Sequence, residues 1–492
     1  MEFYDKYKSY RNYMRRFSLV ESLLDVWRYS LHILDDVPLS PDYGVGRPWG
    51  EQIKRNVWPW DLDVITREIV LHARTRGDRS LRRWKDLAEA INHIRHLDGE
   101  SYMAFGEQRD VLLEMHRVAH RQFPWQFKTG VNPLMRSFKI FGRPGVDEIV
   151  VRELGMTMRQ VLVISFCLIG HFQKSGWMRT DQDSSELKIP RKAVQDLLRR
   201  FTSSIDDLRA KTAKQQSYGP DWLYAWNPLE LTPLVSVDRA HPERVVCPLP
   251  FYLMRRASSG IFFDLVNSAG FDNAFGYSFQ EYVGEVLDLV CKPPQFTIAP
   301  EESYYIGSNK FHGADWVVSD ATGHLFIEAK TKRLTLGAKF RSDDPLLQKD
   351  LGVIATAIVQ HYGNIQRALN GKSKWRNDGL PIYPLVLTLE DWFIFSPRIS
   401  EMLVKEVRRL LAKHGISEQV LSDMPFSIAA VHEFEAGIQV IAQVGIGAVM
   451  DKKTRGDKRS WSLLPFIGDS FPNEMKNVNW RLFVEDWDKL LP

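Results

Sequence analysis

The sequence is poor in cysteine. Cys167, Cys247 and Cys291 are scattered along 492 residues, and no CxxC pair or Cys/His cluster occurs. That spacing argues against a thiolate zinc site and a disulfide framework, and it agrees with a reducing compartment. Long apolar runs are missing too. The longest, Val161 to Gly170, falls well short of the ~20 residues a membrane span requires. The opening stretch MEFYDKYKSYRNYMRR has no apolar signal core. The expectation is a cytoplasmic protein with no membrane association. An excess of one charge is also lacking. Lys and Arg number 65 against 61 Asp and Glu, so any affinity for nucleic acid must come from local patches. The glycine-bearing GVGRPWG (Gly44 to Gly50) lacks the Lys-Ser/Thr of a phosphate-binding loop, and neither G-x-S-x-G nor HExxH occurs. These absences argue against P-loop, nucleophile-elbow and zincin chemistry. Within an NTP-driven system another subunit would have to supply the motor.

What is present is an ordinary globular composition, 44% hydrophobic and 26% charged, long enough for roughly two to four domains. The most informative stretch runs from Gly313 to Lys330. It reads GADWVV, a polar break from Ser319 to Gly323, then LFIEAK. Two short apolar runs joined by a turn with a glycine predict a β-hairpin. Asp315 lies on the first strand, and Glu328-Ala329-Lys330 ends the second. Side chains two apart on a strand share a face, so Glu328 and Lys330 project together and pairing brings Asp315 beside them. Two carboxylates and an ammonium gathered at the end of an apolar hairpin are costly unless something binds. A hard divalent cation with oxygen ligands, such as Mg²⁺, is the simplest candidate. The alternative is a solvated strand end with a surface ion pair, which is worth little.

An acid, a spacer and then Glu-x-Lys on adjacent strands, behind an acid-bearing helix, resembles the PD-(D/E)xK nuclease superfamily. The segment GYSFQEYVGEVL (Gly276 to Leu287) is similar to the opening helix of its methyl-directed restriction group, and the resemblance covers Ala274 to Leu389. It implies that Asp315 and Glu328 hold Mg²⁺, with Mn²⁺ able to substitute. The Ala329 carbonyl would add a ligand, and Lys330 would orient or help deprotonate the attacking water. At the family's helix glutamate this chain has Gln280. Glu281 follows directly and is expected to take the third acidic role; Gln280, Glu285 and Gln360 are auxiliary candidates. The resemblance further implies DNA as partner. It also suggests a place in prokaryotic restriction or anti-phage defence, with other subunits of a defence or mobile-element system. Two cuts across a duplex would call for a homodimer. The competing class is a catalytically degenerate nuclease fold that binds DNA or protein, for which Gln280 is the main argument.

Around the motif, Lys332, Arg333, Lys339 and Arg341 form a basic run suited to phosphate contacts. Pro345 to Leu369 has helical periodicity, and YPLVLTL (Tyr383 to Leu389) is apolar throughout, as a buried central strand would be. Phe426 to Val431 and a helix over Glu433 to Val444 extend the same sheet. Upstream, Leu81 to Ile94 carries an apolar helical face with Ser80 as N-cap. The densest upstream basic patch is Arg74, Arg76, Arg79, Arg82, Arg83 and Lys85. VWPWD (Val57 to Asp61) and FPW (Phe123 to Trp125) are either base-stacking surfaces or core anchors. Helices over Thr157 to Phe172 and from Pro190, the second carrying Arg191, Lys192, Arg199 and Arg200, suggest a winged-helix or helix-turn-helix reader. Their connection is too long for a simple helix-turn-helix. Ala213 to Asp221 reads as a linker. The expected fold class is α/β, with a mostly helical N-terminal half. The C-terminal half would be a restriction-endonuclease-like core with a mixed central sheet flanked by helices. The expected boundaries are 1–150 (helical, recognition), 151–260 (winged-helix-like connector), 261–400 (nuclease core) and 401–492 (an α/β extension of that core).

Overall fold

The apolar run at Ile382–Thr388 is buried at all seven positions, and a single mixed sheet grows outward from it. The structure, a computed structural model, describes residues 3–44, 50–104, 111–126, 132–219, 221–340 and 344–490. Within them the chain is mixed α/β and mainly helical. It divides into two compact units. One joins Met1–Arg109, Arg121–Phe271 and Glu485–Pro492; the other joins Asp110–His120 and Asp272–Val484.

In the second unit a long helix α1 (Phe271–Val290) precedes strands β1 (Thr297–Pro300), β2 (Ser303–Ile306), β3 (Asn309–His312), β4 (Trp316–Asp320) and β5 (Gly323–Lys330). Helix α2 (Asp344–Leu369), strand β6 (Ile382–Thr388), helix α3 (Pro397–Lys413), strand β7 (Ser427–Ala430) and helix α4 (Val431–Val444) follow. The five-stranded sheet has the order β7-β6-β5-β4-β1. β5, β6 and β7 run parallel, while β4 is antiparallel to β5 and to β1. Parallel neighbours need crossovers, which α2 provides between β5 and β6 and α3 between β6 and β7. β2 and β3 form a separate hairpin. Ile354, Ile358 and Tyr362 of α2 and Leu403, Val407 and Leu411 of α3 share one buried cluster with Val386 of β6. Burying each such aliphatic side chain contributes about 1.5–3 kcal/mol.

Helix α1 buries Phe275, Phe279, Tyr282, Val283, Val286 and Leu287, a spacing that follows one helical face. Gly284 on this helix lies against the Trp316 indole, so closely that a Cβ there would come within 2.2 Å of it. The Trp316 Nε1–H donates to the Gln280 carbonyl at 2.9 Å. α1 is thereby fixed to the start of β4.

In the first unit, short strands Trp177–Arg179, Thr202–Ser204, Leu234–Ser236 and Arg244–Val246 make a four-stranded sheet. The first lies inside the long connection between helices Met158–Phe172 and Arg191–Phe201. The segment expected to be a linker is held instead. Helix Ile205–Gln215 runs into it, Gln216 donates to Glu68 at 2.9 Å, and Tyr218 packs on Tyr4 and Tyr7. The helix expected from Leu81 starts at Trp84, because Asp86 draws Arg79, Arg83 and the Ser80 amide into a turn ahead of it. No single helix among the described residues is long and apolar enough to cross a membrane. Pro144–Leu154 and Met158–Phe172 meet that test only together, bent by 65°.

Candidate functional site

The register of the β4/β5 hairpin sets the site. Trp316 pairs with Ile327, so Asp315, one residue before β4, comes opposite Glu328. The Ala329 amide donates to Asp315 Oδ2 at 2.7 Å, and Lys330 Nζ donates to Glu328 Oε1 at 2.5 Å. Asp315, Glu328, Ala329 and Lys330 all line one cavity of about 930 Å³ in the second unit. The three side chains singled out by the hairpin pattern are therefore together, at the carboxyl end of β5.

Their charges are in conflict. Burial and the neighbouring Glu328 charge push the Asp315 carboxyl up to about 7. Burial also acts on Glu328, but His361 and Lys330 outweigh it and hold Glu328 below the usual carboxylate range. Burial would lower Lys330, and the Glu328 charge reverses that, so its ammonium is stabilised. Two adjacent carboxylates thus share a site that accommodates one negative charge well and two poorly.

His361 is a member that sequence reasoning missed. It lies on α2, is 1% exposed, and its Nε2 is 3.0 Å from the Phe326 carbonyl oxygen. That carbonyl can only accept, so Nε2 carries a proton. Nδ1 then faces Glu328 Oε2 at 3.5 Å, and neither of these buried atoms has a hydrogen-bond partner. Glu301 is a second addition. It follows β1, lines the cavity, accepts from Gln280 Nε2 at 3.3 Å and pairs with His312 at 2.8 Å.

The expected third acid and the auxiliary candidates separate. Gln280 and Gln360 line the cavity, whereas Glu281 and Glu285 do not. Glu281 is exposed, since it falls outside the buried stripe of α1 and one position round the helix from Gln280. The structure does not bring it to Asp315 and Glu328. Of the basic run, Lys332 pairs with Asp350 at 3.2 Å, and Arg333 and Lys339 both pair with Glu390, at 3.2 and 3.1 Å. None of the three lines the cavity, and Arg341 lies outside the described residues. Lys310 and Arg367 line it instead.

In the first unit half of the upstream patch is likewise engaged. Arg79 pairs with Asp86, Arg82 with Asp25 and Asp42, and Arg83 with Asp86. On helix Arg191–Phe201, Lys192 and Arg199 pair with Asp196, and Arg200 with Asp264. Trp125 of the FPW segment is buried and stacks on Phe251 at 4.3 Å, as a core anchor would.

Among the described residues, no group of three or more His, Cys, Asp or Glu is arranged to hold a metal ion. Mg²⁺ asks for less, since one or two carboxylates with waters and substrate oxygens suffice. The Asp315–Glu328 pair meets that requirement with oxygen donors. The buried, unpartnered Glu328 Oε2 is the atom such an ion would satisfy. Compared with protein-family models, curated proteins and solved structures, the chain finds no match.

Proposed function

We propose that this chain is a Mg²⁺-dependent nuclease that hydrolyses phosphodiester bonds in DNA, on a restriction-endonuclease-like core of the PD-(D/E)xK kind. The observation that carries the proposal is the convergence of Asp315, Glu328 and Lys330 on one cavity, with the charge conflict between the carboxylates and a buried Glu328 Oε2 that accepts no hydrogen bond. Asp315, Glu328 and the Ala329 carbonyl would hold the ion. When bound, it supplies a water of lowered pKa and neutralises phosphate charge. Lys330, kept cationic by Glu328, suits a role as phosphate partner and water-orienting donor better than that of a base. Glu301, tethered by Gln280 and His312, is the further carboxylate facing the cavity where the helix glutamate of the family is replaced by Gln280. Gln360, which also lines the cavity, would meet substrate. A cytoplasmic role in restriction or anti-phage defence, with partner subunits or as a homodimer, belongs to the same proposal.

A second reading, a nuclease fold that binds DNA without cutting it, draws on Gln280 and on the exposed Glu281. The two separate in one experiment. Supercoiled plasmid and linear duplex are incubated with purified protein in Mg²⁺, Mn²⁺ or EDTA, beside Lys330→Ala and Asp315→Ala. Metal-dependent cutting abolished by both substitutions supports the enzyme. DNA bound but uncut in every metal supports the binding module.

A further inference from the structure

We propose that the strand entering this cavity is unpaired, and that the cavity mouth is a stacking and phosphate-gripping surface for single-stranded DNA; this rests on the nuclease function proposed above. Tyr277 and Tyr305 are 64% and 68% exposed. Tyr277 lines the cavity three residues before Gln280 on α1, which places the two on one helix face. Tyr305 stands on the β2/β3 hairpin directly across from Lys310, another cavity-lining residue.

The hairpin is fixed through its other face. Tyr304 and Phe311, a cross-strand pair, stack at 6.1 Å. The Arg367 guanidinium of α2 lies 4.9 Å over Phe311 and donates to the Tyr304 hydroxyl at 3.1 Å. Side chains alternate along a strand, so with Tyr304 turned inward Tyr305 is turned out. Gly307, at φ 61 in the tight turn, permits the reversal. Two exposed rings are thus held on well-anchored elements, Tyr277 lining the cavity and Tyr305 across the hairpin from its lining residue Lys310. Lys310 makes no ion pair among the described residues, in contrast to Lys332, Arg333 and Lys339.

Isolated exposed aromatics need no explanation. One that lines a charged cavity and one paired across strands with a cavity-lining lysine make the pattern used to hold single strands. Rings stack on unpaired bases while cations track the backbone. In a duplex the base faces are stacked on one another and closed to a tyrosine ring. Duplex DNA could engage the cations alone.

Binding is measured by fluorescence anisotropy in EDTA, so that nothing is cut, using a labelled thymidine 20-mer and a duplex of equal length across a salt series. The strand is expected to bind at least fivefold more tightly than the duplex. Tyr277→Ala and Tyr305→Ala should each weaken strand binding about tenfold, with Tyr→Phe at either position close to wild type. Lys310→Ala should reduce the salt slope by about 0.7. Equal or tighter duplex binding, no binding of either DNA, or strand binding untouched by both alanine variants overturns the inference. A duplex cut in Mg²⁺ while strands are ignored overturns it and leaves the nuclease proposal standing. A strand bound through the tyrosines, with neither strand nor duplex cut in Mg²⁺ or Mn²⁺, overturns the nuclease proposal and leaves the surface.

Discussion

Glu328 Oε2 and His361 Nδ1 face each other at 3.5 Å inside the second unit, both buried and neither with a hydrogen-bond partner. The Phe326 carbonyl fixes the imidazole by taking the Nε2 proton, so the ring can meet the carboxylate only through Nδ1. His361 acts on the site through Glu328, by standing against Oε2 and limiting where the carboxylate can turn. Groups that orient a ligand in this way typically affect metal affinity 10–100-fold. His361→Ala is therefore expected to fold and to bind Mn²⁺ about tenfold more weakly by titration calorimetry. Unchanged affinity would remove His361 from the site.

Asp315 and Glu328 cannot both be comfortably ionised in the metal-free protein. Asp315→Asn removes one of the two charges and keeps the shape. Its metal-free melting temperature is expected to match or exceed that of the wild type, by roughly 2–4 °C for a gain of order 1 kcal/mol. The upward shift that Mg²⁺ gives the wild type should disappear. A variant that melts lower than wild type in EDTA and still responds to Mg²⁺ would contradict the charge conflict described here.

Gly284 leaves room for the Trp316 indole, which in turn holds the Gln280 carbonyl. An added methyl would overlap a rigid ring, and such overpacking costs about 1–3 kcal/mol. Gly284→Ala should lower the melting temperature by several degrees, while Gly276→Ala, where a Cβ meets nothing within 4 Å, should raise it slightly through helix propensity. Differential scanning fluorimetry of the pair separates the packing effect from helix propensity.

Much of the second unit was legible because its signals are local. Two short apolar runs and a glycine turn mark β4 and β5, helical periodicity marks α2, and the unbroken apolar run marks β6. The same hairpin pattern named Asp315, Glu328 and Lys330. What was not legible depends on partners far along the chain. Lys332, Arg333 and Lys339 read as a free basic run, yet their partners Asp350 and Glu390 are brought to them by α2 and by the segment after β6. Glu301 sits in a short polar gap between strands, where its local sequence resembles any turn. His361 stands beside Gln360, but only the packing of α2 on β5 distinguishes which of the two turns inward. In the first unit, the contacts of Gln216 and Tyr218 with Glu68, Tyr4 and Tyr7 hold a segment whose composition alone suggests a linker.

Glu68 offers a test of that first unit. Burial alone would raise its pKa, but hydrogen bonds from His72 and Tyr7 and the Arg67 charge hold it at about 2, below the ordinary 4.5. With the folded value depressed, the stabilisation from ionised Glu68 is fully present above pH 4.5 and is lost as pH falls through about 2. The difference in melting temperature between wild type and Glu68→Gln should be constant above about pH 5 and narrow progressively below it. A gap that stays constant down to pH 2 would contradict the ionised network.

The central claim is that Asp315, Glu328 and Lys330 form a phosphodiester-hydrolysing centre. Its most direct measurement is the single-turnover rate of cutting a 5′-labelled DNA strand, and the same sequence as a duplex, by wild type and Glu328→Gln in Mg²⁺ and in EDTA. The expected result is cutting of one or both substrates only in Mg²⁺, with the rate reduced by about 10²-fold or more in the variant, as for loss of a positioned ligand or proton-transfer group. Cutting that persists in EDTA, that is undiminished in Glu328→Gln, or that is absent from the wild type on both substrates would contradict it.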